Sequence, residues 1–573
     1  MYPLIVQQNR LGFIKRVSIM LMACIAFGSQ LRAQNVVDAT TLNNKIMAGY
    51  QGWFRTPGDN PKNINQGWSH LFNGNLTRPG FDMWPDMSEY AADEKTAVPG
   101  FTLPDGSQAY LYSAQNAKAV MRHFQWMKQY GIDGVWVSEF CDHFPGGRQE
   151  SDSTTVYTIM NNVRAAATAT GRTWAFMWDM SGFTSRNPAT LISKTDVYNV
   201  IINNWKKMVD KGITTDPRYT HQNGKPVLLL WGFFAERPAS QPDYMNAVID
   251  FLQTPGKYQA FLVGGVDDKW RAKGTPEFQA MLMRMPGLQP WSVGRALRDS
   301  TTGYKIQNTT LWAGDIAMCK EHNVMFMPVF NSGTNIAGPP PVPPKGPTVP
   351  RRTGNYLWEQ FVAAQKTGVI NSAFVAMFDE INEGTQLMKT TNHPPVQFPF
   401  LTFDGATSDY YLRLLGTGAK MLKNHTPITA TIPISPFSEQ KTYKLQNKAS
   451  GLNLANQNET TQASIVQAAN APGANDEWQL LFDGSGYFKI KSKLSGKVLS
   501  AGATDGVVTQ VADAKSDNLK WHLEWDGTGN CRIISKAKGM ALSSNGSITA
   551  NSAIKQVADA KNSDDLRWKV IEE

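Results

Sequence analysis

Ser372-Ala373-Phe374-Val375-Ala376-Met377-Phe378-Asp379-Glu380-Ile381-Asn382-Glu383-Gly384-Thr385-Gln386 reads as a strand that runs out into carboxylates. The run 372–378 is apolar without a polar residue on alternate positions, as expected of a strand buried on both faces of a parallel sheet. Asp379, Glu380 and Glu383 then follow at its C-terminal end. Seven more such runs precede it, at 46–54, 134–140, 174–182, 226–234, 260–266, 288–294 and 324–330. Stretches with helical apolar periodicity lie between them, for example 116–130, 156–170, 197–210, 311–322 and 356–367, and one more closes the series at 408–423. Eight strands alternating with helices predict an α/β fold, a (β/α)8 TIM-type barrel over residues 36–425. An open doubly wound sheet would call for a glycine-rich phosphate turn after the first strand, and none is present.

Two connections stand out by length, 55–113 after the first strand and the proline-rich 331–352 after the seventh. Long irregular connections in a compact domain usually carry function. Residues 426–439 contain Pro427, Pro433 and Pro436 and read as a linker. An internal repeat occupies 440–573. Tyr443-Lys444-Leu445-Gln446 has counterparts in Phe488-Lys489-Ile490-Lys491 and Arg532-Ile533-Ile534-Ser535, and the copies end at Trp478, Trp521 and Trp568. Gln510-Val511-Ala512-Asp513-Ala514-Lys515 and Gln556-Val557-Ala558-Asp559-Ala560-Lys561 are identical. Three such copies resemble a ricin-type β-trefoil, an all-β fold. Lectin trefoils carry an Asp after the Gly-x-x-Leu segment; here Ala455, Ser500 and Ser543 stand at those places. A carbohydrate-binding module and a purely structural trefoil both remain open.

Composition narrows the function. Of 573 residues, 42% are hydrophobic and 18% charged, which is globular and not disordered. The net charge of +9 is spread along the chain without a basic run interleaved with aromatics, so no nucleic-acid partner is expected. Lys15-Arg16 followed by the apolar 17–27 and by Leu31-Arg32-Ala33 predicts a signal peptide over 1–33, cut before Gln34. The expected location is secreted, periplasmic or cell-surface. Leu21-Met22-Ala23-Cys24 also fits a lipoprotein anchor at Cys24. No later stretch is long and apolar enough to be transmembrane. Cys141, Cys319 and Cys531 form neither a disulfide framework nor a zinc pattern, and neither a metal nor another cofactor is expected.

Barrel chemistry sits where strands end. Those ends hold Gln51 and Trp53, Glu139, Trp178 and Asp179, Trp231, Trp291 and Arg295, Asn331, and Asp379 with Glu380 and Glu383. Asp267 and Asp268 are read as a solvated loop. Glycosidic cleavage needs a protonated carboxyl at the leaving oxygen and a second carboxylate as base, nucleophile or charge stabiliser. Indole rings stack on sugars, and Arg and Asn bind their hydroxyls. Any single strand-end acid also fits a helix cap or a rim ion pair. Glutamates three residues apart root only about 5–6 Å from one another on a turn or helix, too close to flank an anomeric carbon easily. Participation by the substrate's own 2-hydroxyl needs no flanking nucleophile. A partnership of Glu380 with Glu139 or Asp179 across the barrel is the alternative.

Glu380-x-x-Glu383-Gly384-Thr385-Gln386 resembles the Glu-x-x-Glu-Gly-Thr-Gln motif of glycoside hydrolase family 99, the endo-acting α-mannosidases and α-mannanases. Tyr50-Gln51-Gly52-Trp53-Phe54 is similar to that family's first-strand signature. Trp291-Ser292-Val293-Gly294-Arg295, Arg351-Arg352 and Met377-Phe378-Asp379-Glu380 resemble the wider group of family 71/99-like bacterial proteins. The resemblance implies a retaining hydrolase of α-linked glycans, with Glu380 as base on the sugar's 2-hydroxyl and Glu383 as general acid/base. Ile381-Asn382 replaces the family's Trp-His, which leaves the sugar open. Two other readings stand beside it, a non-catalytic glycan-binding protein and a transferase or lyase acting on polysaccharide.

Overall fold

The computed structural model describes residues 36–59, 67–72, 76, 78–147, 153–183, 192–335, 348–469, 474–501 and 506–573. The expected signal peptide and the middle of the 331–352 insertion lie outside these residues. Eight parallel strands close a barrel: β1 (Ile46–Tyr50), β2 (Gly134–Phe140), β3 (Thr173–Asp179), β4 (Lys225–Phe233), β5 (Phe261–Asp267), β6 (Gly287–Trp291), β7 (Met325–Phe326 continued by Val329–Asn331) and β8 (Ala373–Ala376). Each pairs with the next, and β8 pairs back onto β1 through Ile46, Met47 and Ala48. The break in β7 falls at Met327-Pro328, where proline has no N–H for the ladder. The Pro328 carbonyl instead accepts from the Phe374 amide at 3.0 Å.

The helices α1 (Ala117–Tyr130), α2 (Ser153–Thr170), α3 (Lys194–Asp210), α4 (Pro242–Gln253), α5 (Pro276–Leu282), α6 (Trp312–Glu321), α7 (Asn355–Thr367) and α8 (Tyr410–Lys423) lie between and after the strands. Their starts follow from local chemistry. Asn116 caps α1 by accepting from the Lys118 and Ala119 amides, and Gly131 ends it in the left-handed region. Ala119, Val120, His123, Phe124 and Met127 form its buried stripe. Among the described residues no helix is long and apolar enough to cross a membrane.

Two expectations are corrected here. The 55–113 connection is not an irregular loop: Thr96–Thr102 and Gln108–Leu111 form an antiparallel hairpin. Phe72, Phe81, Trp84 and Phe101 pack ring to ring and join the barrel core. The eighth strand is shorter than 372–380 and ends at Ala376, because Met377 and Phe378 turn to pair with Leu387 and Met388.

The C-terminal region is a β-trefoil. Tyr443–Asn447, Trp478–Phe482, Phe488–Ser492, Trp521–Trp525, Cys531–Ser535 and Arg567–Glu572 close a six-stranded ring. Three hairpins cap it, each pairing the second and third strands of one repeat. The repeat extends to single bonds. Buried Trp478, Trp521 and Trp568 donate their indole N–H to the carbonyls of Leu454, Leu499 and Leu542, at 2.9, 3.2 and 3.0 Å. Each bond ties the last strand of a repeat to its cap hairpin. Leaving one of those carbonyls unpaired in the core costs about 1–3 kcal/mol. Trp521→Phe should therefore lower the unfolding midpoint of the trefoil in denaturant, followed by near-ultraviolet circular dichroism, while secondary structure in buffer stays unchanged.

Candidate functional site

The end of β8 is bound to the end of β1 by one carboxylate. Asp379 is fully buried and accepts from the Gln51 amide at 2.7 Å and the Gly52 amide at 2.9 Å. Gly52 takes a φ of +65°, a conformation that favours glycine, so that its N–H can turn toward Asp379. Burial outweighs the two hydrogen bonds and pushes the Asp379 carboxyl up to about 6. Asp379, expected among the strand-end residues of a sugar site, is instead fully buried and positions the backbone.

Glu380 follows directly. Gln51 donates to its Oε1 and Thr385 to its Oε2, both at 2.7 Å. Burial, then the charge of Glu383, raise the Glu380 carboxyl to about 8 despite those two donors. Glu383 is half-buried and is also raised, by burial and by the charge of Asp179. Asp179, at the end of β3, accepts from the Ser181 amide and hydroxyl, and burial lifts it to about 6. Four acidic side chains around one barrel end therefore hold fewer negative charges than residues at neutral pH. Interacting sites of this kind titrate as a group, not one by one.

The loop carrying these acids is fastened from behind. Asn335 and Thr334, just past β7, donate to the Glu383 carbonyl at 2.6 and 3.0 Å. Ser332 donates to the Thr385 carbonyl, and the buried Arg351 donates to the Gly384 and Gln386 carbonyls at 2.7 and 2.8 Å. Its guanidinium lies over the Tyr411 and Phe403 rings. In the sequence Arg351 stands out only through a resemblance, and Asp82, Asn335 and Thr334 do not stand out at all. Their signal is long-range packing, which one sequence does not display.

The other expected residues divide. Half-buried Trp231 and Trp291 meet edge to face, 5.3 Å between ring centres, with the Arg237 guanidinium over Trp231. Half-buried Trp53 stacks on Phe140 and donates to the Ser138 carbonyl. Glu139 is buried with its Oε2 3.7 Å from His143 Nδ1. Trp178 is not a platform: it lies in the core against Phe144, Phe176 and Trp205. Asn331 is fully buried and interlocks with Gln307 and Gln360, so it serves the wall of the barrel and not its opening. Asp267 and Asp268 are no solvated loop. Both are buried; Lys273 holds Asp267 at 2.6 Å, and exposed Arg295 approaches Asp268 at 3.9 Å. In the trefoil, Ala455, Ser500 and Ser543 are buried as well. Among the described residues no group of three or more His, Cys, Asp or Glu is arranged to hold a metal ion.

The ricin-type beta-trefoil lectin domain-like family matches residues 435–511 and 474–557. No curated protein matches the chain. Among solved structures, the GH99 endo-α-mannosidase from Bacteroides thetaiotaomicron is similar at 17% identity over 67% of this chain and 99% of its own, with a TM-score of 0.45. A designed threefold-symmetric protein, ThreeFoil, is 29% identical over 23% of this chain and 97% of its own, with a TM-score of 0.22. An exo-β-1,3-galactanase from Clostridium thermocellum is 27% identical over 25% of this chain and 33% of its own, again with a TM-score of 0.22.

The raised carboxyl of Glu380 has a consequence for stability. An ordinary glutamate titrates near 4.5 and this one near 8, so the folded state holds a proton that the unfolded state has lost. The native protein loses stability as pH rises between those values. Glutamine has no proton to lose. Glu380→Gln should melt above the parent, with a gap that is small near pH 5 and widens toward pH 8 in differential scanning calorimetry.

Proposed function

We propose that this chain is an exported glycoside hydrolase acting on α-linked glycans at the C-terminal end of the barrel. The observation that carries the reading is the Glu380–Glu383 pair, two carboxyls held above the ordinary range by burial and by like charge, at the barrel end where half-buried Trp231 and Trp291 also lie. Raised carboxyls are the means by which a site keeps an acid protonated at neutral pH. The trefoil match favours a carbohydrate ligand.

The geometry suits division of labour within the pair. Both oxygens of Glu380 accept hydrogen bonds, which orients it as an acceptor; the interacting pair shares a proton, and the reactive form carries it on Glu383 and leaves Glu380 ionised, a stronger base than a free glutamate. A sugar hydroxyl is a weak acid and needs such a base. Glu380 takes the 2-hydroxyl proton as that oxygen bonds to the anomeric carbon. Glu383 gives its proton to the departing glycosidic oxygen as the old bond breaks. The resulting 1,2-anhydro sugar is opened by water, which loses a proton to Glu383 while Glu380 returns one to O2. Two inversions give net retention. No protein nucleophile is required, and that agrees with acids set three residues apart.

Glu380→Gln and Glu383→Gln should each reduce turnover about 10²–10⁴-fold, the usual contribution of a positioned acid or base. The assay is the mature protein with α-mannans and α-glucans, with products resolved by chromatography and their anomeric configuration by proton NMR. Wild-type turnover in both variants would remove the assignment. An unsaturated product end would make the chain a lyase, and longer products would make it a transferase.

A further inference from the structure

The trefoil touches the barrel along the side where Arg351 props the acidic loop. Gly405 packs against the Val570 backbone, and Gly527 lies so close to Pro350 that a Cβ there would strike it. Between these contacts lies a cavity of about 520 Å3, within the roughly 300–1,000 Å3 range of small-ligand sites. Asp82, Arg351, Phe400 and Asp404 line it from the barrel, Asn530 and Lys569 from the trefoil.

Two of these groups are buried and incompletely paired. Asp82 is 2% exposed; Asn335 donates to its Oδ2, and its Oδ1 has no hydrogen-bond partner. Arg351 is 7% exposed; its Nη2 carries the loop carbonyls, and its Nη1 has no partner. Leaving a buried polar group unpaired costs about 1–3 kcal/mol, more for charged groups, so a ligand that reached these two would relieve that cost. We propose that the cleft between barrel and trefoil is a second carbohydrate-binding site, one that takes a neutral sugar unit of the same glycan chain outside the catalytic centre. It rests on the reading of this chain as a glycan-acting protein.

The lining selects the ligand class. Two carboxylates face two cations, so an anion would meet Asp82 and Asp404, and a metal ion would meet Arg351 and Lys569. A neutral polyol incurs neither repulsion. Its hydroxyls donate to the carboxyls and accept from the guanidinium and the ammonium. Half-buried Phe400 adds an apolar surface of the kind on which a pyranose lies. Burial raises Asp82 to about 6 and Asp404 to about 7, and a carboxyl that is partly protonated near neutrality can both give and accept a hydrogen bond.

Position ties the cleft to the catalytic loop. Gly384 also lines it, with φ +63°; a Cβ there would lie 3.4 Å from the unpaired Asp82 oxygen. Glu383 is the preceding residue. The loop backbone at Gly384 thus stands between Glu383 and the cleft. The trefoil then binds glycan through its junction with the barrel, not through Ala455, Ser500 or Ser543, whose side chains are buried.

The test uses the full chain carrying Glu383→Gln, so that substrate is not consumed. Binding of α-mannan and α-glucan oligosaccharides is measured by isothermal titration calorimetry, with Asp404→Asn and Lys569→Ala added separately. Asp404 sits at φ +56°, which asparagine tolerates, and Lys569 is exposed, so both variants should fold; matching melting curves check this. Each should raise the Kd at least tenfold. Binding within twofold of the Glu383→Gln parent in both, or no binding of any oligosaccharide by that parent, would overturn the proposal. The two readings fail separately: wild-type hydrolysis with unaffected Kd values removes the cleft alone, and weakened binding without wild-type hydrolysis removes the enzyme alone.

Discussion

The acceptance of two backbone N–H groups by Asp379 fixes the geometry of everything at the open end of the barrel. One carboxylate at 2.7 and 2.9 Å joins the chain after β8 to the chain after β1, across the seam where the barrel closes. That seam sets Gln51 against Glu380 and leaves Glu383 three residues on, on a loop held by Arg351, Thr334 and Asn335. The same seam buries Asp379 so deeply that its hydrogen bonds do not offset desolvation. Burial then acts on Glu380 and Glu383 in turn; the charge of Glu383 adds to it at Glu380, and that of Asp179 at Glu383. The proton that the proposed chemistry needs is therefore a product of how the barrel is closed. It is also an instability, because an ionised Glu380 is costly in that place.

Much of this was legible in the sequence, for particular reasons. Strands buried on both faces leave continuous apolar runs, so all eight could be counted, and strand ends in a barrel face one side. Glu380 and Glu383 were thereby placed just past the eighth strand without a structure. Boundaries were less legible. The turn that ends β8 at Ala376 depends on Met377 and Phe378 pairing with Leu387 and Met388, eight or more residues away. Trp178 and Asn331 were misjudged because position along a strand does not report which way a side chain faces when both faces are apolar. Trp178 points outward among helices; Asn331 points into an interlock of amides. Asp267 and Asp268 were misjudged for the opposite reason: adjacent acids read as solvated, yet Lys273 pairs with Asp267, and Asp268 is buried against Asp267 with its carboxyl raised to about 6.

The trefoil was legible because its repeat survives at single residues. Trp478, Trp521 and Trp568 each make the same indole-to-carbonyl bond, so one local solution is used three times. Its contact with the barrel was not legible. Asp82, Arg351, Asp404 and Lys569 are scattered over almost the whole chain, and only packing gathers them. The cleft they form has polar atoms on both walls, unlike the apolar core of either domain. Barrel and trefoil thus present a shared surface beside the loop that carries Glu380 and Glu383.

The claim on which the account turns is that the Glu380–Glu383 pair keeps a proton at neutral pH. Carbon-13 NMR of the protein labelled at the glutamate side-chain carboxyls, titrated from pH 4 to 10 alongside Glu380→Gln, measures it directly. The account predicts a carboxyl resonance, absent from the variant, that titrates near 8. A titration of every glutamate near the ordinary value of about 4.3 would contradict it.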